Sequence, residues 1–394
     1  MIGLFCFDGP IYKDKDGIYC SVTLTNEMFN RYFDVVDKLV VIIRTFNINK
    51  SYTELNMKPL DLDKIKVIEV ENINNIKGFI IGKRIFEKKI ENTVKNSDMI
   101  FARMPSIISN SVLKVAIKLK KDYLVEVGGC AWDSYWNHGI LGKIVAPIMY
   151  YNEKKYISNA KFATYVTKHF LQKRYPNSND SINCSNVYLM PENDSILLER
   201  INKIKKMNFD KIILGQAVNS IDVKYKGEQL ILKAMQKLIN SGFNIEYQVV
   251  GPGNGEYLRK TAKKYGIQEN LKLLGTKTKD EIFKWNKQID IYVQPSKQEG
   301  LPRSVIEAMS MGCPCVGSNI AGIPELLDSD CLFNPNDNSD IVITLEKLID
   351  KEKLLKNAYR NFNVAKEYQM KVINERRKLF FIKYKNYIAN KTKV

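Results

Sequence analysis

Tyr292-Val293-Gln294-Pro295-Ser296-Lys297-Gln298-Glu299-Gly300-Leu301-Pro302-Arg303-Ser304-Val305-Ile306-Glu307-Ala308-Met309 reads as a strand, a loop and a helix in immediate succession. Pro295 ends the apolar run, and helical spacing of apolar residues resumes after Pro302. Gly300 permits close backbone approach in the loop. Pro302 suits the first helical position, where it leaves the amides of Arg303, Ser304 and Val305 without intrahelical partners and able to face an anion. A strand running through such a loop into a helix is the repeating unit of a parallel α/β sheet.

Two carboxylates flank that turn. Glu307, more than a turn into the helix, can accept two hydrogen bonds from the vicinal hydroxyls of a ribose. Glu299, in the loop, can reach a group carried on a bound phosphate, holding a hydroxyl or stabilising positive charge. Each also has a plainer reading. Ser304-Val305-Ile306-Glu307 fits a capping box, in which Glu307 satisfies a backbone amide, and Glu299 fits a solvated loop acid.

Outward from this segment the alternation continues in both directions. Strands are expected at Lys211 to Leu214, Tyr247 to Val250, Leu271 to Leu274, Ile289 to Val293, Cys315 to Val316 and Leu332 to Phe333. In the first half they are expected at Ile2 to Phe7, Leu39 to Arg44, Lys66 to Val70, Met99 to Ala102, Leu124 to Val127 and Phe162 to Val166, with amphipathic stretches between. With 394 residues the chain suits two domains of about 200 residues. The break falls near Met190 to Ser195, giving domains 1–193 and 194–370. A long aromatic-rich helix, 371–394, is expected to pack back on the first. Two doubly wound, Rossmann-like domains would face each other across a cleft and bind ligand at the carboxyl ends of their strands.

Glu299 and Glu307, eight apart around Glu299-Gly300-Leu301-Pro302, are followed by Glu307-Ala308-Met309, Gly312-Cys313-Pro314 and Ala321-Gly322-Ile323-Pro324-Glu325. Together with Lys226-Gly227, Gly251-Pro252-Gly253-Asn254 and Leu274-Gly275, these resemble the family-4 retaining glycosyltransferases of GT-B fold over nearly the whole second half. The resemblance implies that Glu307 binds the nucleotide ribose and Glu299 faces the donor sugar. It implies that Gly300, Leu301 and Pro302 contact sugar and diphosphate, and that Gly275 and Thr276 lie beside the base. Lys226 matches the family's diphosphate lysine. Gln216 stands where the family usually has arginine; it can donate a hydrogen bond but brings no charge, which shifts leaving-group stabilisation onto Lys226 or the nearby Lys224.

The first half carries fewer marks. Asp8-Gly9-Pro10 and Gly17-Ile18-Tyr19 are read as the first strand-to-helix connection, before a helix starting near Val22. The resemblance places that connection beside the donor diphosphate, with Gly17 the preferred contact, while a long turn is the plainer reading. Gly128 to Gly139 is read as a glycine- and aromatic-rich binding loop; the resemblance implies a polar residue here near the donor sugar, either Asp133 or His138, while a buried, satisfied histidine is the plainer reading of His138. In Ile140 to Tyr151, Ile140, Leu141, Ile144, Val145 and Ile148 recur at helical spacing. Core packing is the first reading, and a membrane-facing helix serving a lipid-linked acceptor the second.

The composition, 45% hydrophobic and 26% charged, is that of a folded globular protein. No apolar run approaches the roughly 18 residues of a membrane span, so a cytoplasmic location is expected, with the inner face of the plasma membrane as a candidate address. The seven cysteines lack metal-ligand spacing and there are only two histidines, so buried thiols are expected; the resemblance implies that no metal is needed and that the nucleotide sugar is a substrate, with no cofactor. Asp-x-Asp triplets at Asp14, Asp61 and Asp328 share no common context. The net charge of +18 attracts phosphorylated molecules, anionic lipid or nucleic acid. Basic residues at Lys83 to Lys89 and Lys114 to Lys121 favour a peripheral anionic membrane contact, and no nucleic-acid motif accompanies the charge.

The expected activity is retaining transfer of a sugar from a nucleoside-diphosphate sugar to a hydroxyl on a glycan or lipid-linked acceptor, in surface-polysaccharide synthesis. A GT-B sugar-nucleotide epimerase and a non-catalytic nucleic-acid binder are the alternatives.

Overall fold

The computed structural model describes residues 1–55, 57–70, 83–137, 139–189 and 193–391. His138 and the interruption at Met190-Pro191-Glu192 lie outside the described residues. The chain forms two compact units, one of Met1–Cys184 with the chain from Asn374 onward, the other of Ser185–Ile373.

The first unit contains β1 (Ile2–Lys13), β2 (Tyr19–Ser21), α1 (Asn26–Asn30), β3 (Lys38–Asn47), β4 (Lys58–Pro59), β5 (Ile65–Val70), α2 (Lys83–Lys95), β6 (Met99–Met104), α3 (Ile107–Lys118), β7 (Leu124–Val127), α4 (Ala131–Trp136), α5 (Gly139–Asn159), β8 (Phe162–Tyr165), α6 (Phe170–Arg174) and β9 (Asp180–Asn183). Parallel strands run in the order β5-β3-β1-β6-β7-β8-β9, while β2 and β4 add antiparallel pairing at the far end of β1. The reversal of direction at β1 is that of a doubly wound sheet.

Several segments differ from the sequence reading. Asp8-Gly9-Pro10 is not a loop. It lies inside β1, where the register with β3 shifts between Phe7 and Ile11, and the Asp8 carboxylate accepts the amides of Ile107 (2.7 Å) and Ile108 (2.9 Å) and the Ser106 hydroxyl (2.9 Å) at the start of α3. A sequence-distant helix cap, invisible to local pattern, thus accounts for this aspartate. The first helix starts at Asn26, after a β1–β2 hairpin, and β2, β4 and β9 are too short to announce themselves by alternation. The basic run on α3 is partly neutralised: Lys114 pairs with Glu87 (2.7 Å) and Lys118 with Glu91 (2.8 Å) on α2. All seven cysteines are buried.

One face of the first sheet is covered by α1 and by the last helix, α14 (Met370–Lys391). Phe29 and Tyr32 join Phe380, Phe381 and Tyr384 against Phe5 and Phe101 in one core, with Tyr32 and Phe381 stacked at 5.8 Å between centroids. Glu126 is buried beside this core, 3.1 Å from the Arg103 guanidinium and accepting the Tyr32 hydroxyl at 2.5 Å. Burial opposes its ionisation, yet Arg103, Arg31 and the Tyr32 hydrogen bond outweigh that and pull its carboxyl down to about 2.

The second unit contains α7 (Asp194–Lys206), β10 (Ile212–Ala217), α8 (Glu228–Asn240), β11 (Ile245–Val250), α9 (Glu256–Lys264), β12 (Leu271–Leu273), α10 (Lys279–Gln288), β13 (Ile291–Gln294), α11 (Arg303–Ser310), β14 (Cys315–Ser318), β15 (Leu332–Phe333), α12 (Asn338–Leu348) and α13 (Lys351–Ala365). Its parallel sheet has the order β12-β11-β10-β13-β14-β15. The chain winds outward from β10 to one side, then returns to place β13 on the other. The switch point therefore lies between the carboxyl ends of β10 and β13, where loops diverge and leave a crevice.

Candidate functional site

The loops after β10 and β13 meet at this switch point. Gly227 has φ +84°, and a Cβ there would overlap the Pro295 carbonyl oxygen, so glycine is required twice over. The Lys297 amide donates to the Tyr225 carbonyl at 2.8 Å. These contacts bring Lys226 Nζ to 2.7 Å from Glu299 Oε1, both side chains mostly shielded from solvent. Gln294 Nε2 (2.9 Å) and Ser296 Oγ (2.8 Å) donate to the same oxygen. Three donors converge on Oε1, and among the described residues Oε2 receives no hydrogen bond.

Gln294 and Ser296 were missed in the sequence reading. Their signal was there: polar residues, now buried, at the carboxyl end of an otherwise apolar strand. Gln294 also accepts from Tyr292 (3.2 Å) and Ser304 (3.4 Å), and thereby links the end of β13 to the start of α11.

Pro302 caps α11 rather than occupying its first helical position, and offers no side-chain hydrogen bond to the amides that follow. Leu301 and Pro302 are buried, and the Gly300 carbonyl accepts the Gly322 amide at 3.0 Å, which fixes the loop from the β14 side. The capping-box reading of Ser304 to Glu307 does not hold: Glu307 is the fifth residue of α11, and its carboxylate accepts no hydrogen bond among the described residues. Burial pushes the Glu307 carboxyl up, against the opposing charges of Arg303 and Lys279. Burial makes a carboxylate without a hydrogen-bond partner costly to keep charged, and Glu307 retains its full acceptor capacity among the described residues.

Gln216 departs from its expected role. It is 0% exposed, its Nε2 donates to the Lys226 carbonyl (3.0 Å), and its Oε1 accepts the Tyr247 hydroxyl. The side chain pins the backbone under Lys226 instead of facing a ligand. Lys224 turns away to sit 4.5 Å above the Tyr257 ring. Next to Gly227, Glu228 is 1% exposed with Oε1 lacking any partner, and burial raises its carboxyl to about 7 despite the nearby Lys226 charge.

Gly275 (φ +68°) lies in the turn after β12, and Thr276 is exposed beside it. The Gly275 carbonyl accepts the Gly251 amide at 2.9 Å, which laces the turns after β11 and β12. Asp222 accepts the amides of Asn254 and Gly255, which gives the Gly251 to Gly255 turn a structural role.

In the first unit, Gly17 (φ +80°) occupies the hairpin turn between β1 and β2, where the Asp14 carboxylate accepts the amides of Asp16 and Ile18 at 2.9 Å each. Asp133 is not on a loop but in the first turn of α4, with Oδ1 3.6 Å from Arg174. The amide of Ala131, which opens α4, donates to Glu153 Oε2 (2.8 Å) and to the Tyr175 hydroxyl (3.1 Å). Glu153 is fully buried, which raises its carboxyl to about 8.

Residues 211–363 match the family model described as glycosyl transferases group 1. The chain is 33% identical to Protein CapJ of Staphylococcus aureus over 98% of its own length and 96% of that protein. It is 36% identical to the amylovoran biosynthesis glycosyltransferase AmsK of Erwinia amylovora over 26% of its length and 27% of that protein. Among solved structures, HepE of Anabaena in complex with UDP and glucose is similar with a TM-score of 0.62, at 15% identity, over 95% of this chain and 97% of that one.

Proposed function

The chain belongs to the group 1 glycosyl transferases, and on that premise we propose that it transfers a sugar from a nucleoside-diphosphate sugar to a hydroxyl of a glycan or lipid-linked acceptor in surface-polysaccharide synthesis. The observation that carries the site assignment is the Lys226–Glu299 pair at the switch point of the second sheet, with Glu299 Oε2 left to accept. Oε1 is anchored by three donors, so Oε2 is held in one place to receive a sugar hydroxyl or face positive charge at the anomeric carbon. Lys226 supplies a cation for the diphosphate. The uncapped amides of Arg303, Ser304 and Val305 add their partial positive charge, and together these groups would do the work of a metal ion. Glu307, lacking a partner, takes the ribose hydroxyls, with Gly275 and Thr276 beside the base.

Retention at the anomeric carbon is part of the proposal. Glu228, the nearby carboxyl, is sealed from solvent and has no path to act as a nucleophile, so the departing phosphate takes the acceptor proton on the face it leaves. Peripheral contact with an anionic membrane on the cytoplasmic side belongs to the same reading; among the described residues no helix is long and apolar enough to cross a membrane.

The test is a thermal-stabilisation screen of nucleoside-diphosphate sugars, followed by acceptor-dependent transfer with the stabilising donor, in chelator, and NMR assignment of the product anomer. Glu307→Ala is expected to raise the donor KM at least tenfold, and Glu299→Gln to lower kcat. The assignment fails if both variants stay within a few fold of wild type. Donor turnover without acceptor would point to epimerisation instead.

A further inference from the structure

Helix α5 has two apolar faces, and only one is covered. Ala146, Met149, Tyr156 and Ile157 face inward, and Met149 packs with Ile107 and Ala131. On the other side Ile140 is 80% exposed, Leu141 64%, Ile144 64%, Ile148 48% and Tyr151 67%. At 100° per residue these five side chains fall within one quadrant or slightly more of the helix surface. The core reading of this stripe is therefore wrong for most of its members. The spacing was helical, but the stripe faces away from the protein.

The strip extends about 17 Å along the helix. Exposed lysines border it: Lys143 near its start, Lys154 and Lys155 at its end. The one acid of α5, Glu153, is buried on the inner face. Trp136, at the end of α4, stands beside the strip with Lys143 Nζ 5.5 Å from its ring centroid. An apolar ridge at the centre, cationic residues at its margins and an indole at its edge is the arrangement of a helix lying in the headgroup layer of a bilayer.

We infer that the exposed face of α5 seats this protein on an anionic lipid bilayer, with Ile140, Leu141, Ile144 and Ile148 entering the acyl boundary and Lys143, Lys154 and Lys155 meeting lipid phosphates. Charge decides between this and a second copy of the chain. A self-complementary contact along the helix would bring the lysines of two copies together with no exposed carboxylate on α5 to meet them, and one narrow strip is small beside the roughly 800 Å² per partner of a stable dimer. Anionic headgroups complement the same lysines. The inference gives the proposed membrane contact a location; it does not depend on the transfer chemistry, since its readout is binding.

The experiment uses the full chain with vesicles of phosphatidylcholine alone and of phosphatidylcholine with phosphatidylglycerol, read by flotation and by tryptophan emission. Wild type is expected to bind the anionic vesicles at least tenfold better than the neutral ones, with a blue shift and with weakening at high salt. Ile140→Asp/Ile144→Asp is expected to lose at least tenfold of that binding while keeping its melting temperature and its thermal shift with donor, because both side chains are already in water. Lys143→Glu/Lys154→Glu/Lys155→Glu is expected to lose the anionic preference. Three outcomes overturn the inference: wild type that binds no vesicle, which also ends the membrane reading; an Ile140→Asp/Ile144→Asp variant that binds like wild type, which leaves the membrane reading but moves its surface; and a wild-type dimer that the same variant dissociates.

Discussion

Lys226 Nζ and Glu299 Oε1 lie 2.7 Å apart although 73 residues separate them in the chain. Each holds the other in one orientation beside the sheet's switch point. Lys226→Ala and Glu299→Gln are each expected to lower kcat for sugar transfer by about 10²-fold or more, the scale for loss of one preorganised charged group. The double variant should be no more than a few fold worse than the poorer single one, because groups acting as a unit are not additive. Steady-state rates for the four proteins check this, and full additivity would separate the two roles.

Restoring charge at position 216 should harm the protein. Gln216 is sealed between Tyr247 and the Lys226 carbonyl, so Gln216→Arg would bury a cation close to the Lys226 charge and break the hydrogen bond that Gln216 Oε1 accepts from Tyr247. A loss of about 3 kcal/mol or more in chemical unfolding is expected, with no gain in donor affinity by calorimetry. Tighter donor binding at unchanged stability would show that the position faces ligand.

Gly227→Ala combines a left-handed backbone with an overlap onto the Pro295 carbonyl. It should destabilise the second unit by about 2 kcal/mol or more and raise the donor KM, since the two loops can no longer close on each other. Unfolding curves and donor titrations measure the two effects separately.

Glu228 makes stability depend on pH in a definite direction. Its carboxyl is raised from 4.5 to about 7 in the fold. Below pH 4.5 the proton is bound in both folded and unfolded chains, and nothing is lost. Between pH 4.5 and 7 the folded chain keeps a proton that the unfolded one has released, so stability falls as pH rises, by about 3 kcal/mol in all. Glu228→Gln should match wild type near pH 4.5 and melt higher at pH 8. Parallel melting profiles would remove Glu228 as the cause.

Glu126 works in the opposite sense. Its carboxyl is held at about 2, against 4.5 when free, so the stabilisation is complete above pH 4.5 and is lost as pH falls towards 2. Glu126→Gln leaves Arg103 without its carboxylate, and a loss of about 3 to 5 kcal/mol at pH 7 is expected, shrinking as wild type itself is acidified. Urea unfolding at pH 7 and pH 3 tests both statements.

The sequence by itself determined the parallel α/β architecture, the positions of most of the parallel strands in both halves, though not of β2, β4 or β9, and the turn carrying Glu299 and Glu307. Those features are written within a few consecutive residues, as period, proline and glycine. Only the tertiary structure decided what depends on distant partners. Asp8 became a cap for α3 because β1 and α3 lie side by side. Gln216 became a backbone support because Tyr247, on the adjacent strand, takes its oxygen. Gln294 and Ser296 joined the site because three donors had to converge on one oxygen of Glu299. Periodicity told that α5 is a helix with apolar residues, but not that Ile140, Leu141 and Ile144 point to the outside. A helical repeat fixes which side chains share a face, and only the packing of the whole chain decides which faces are covered.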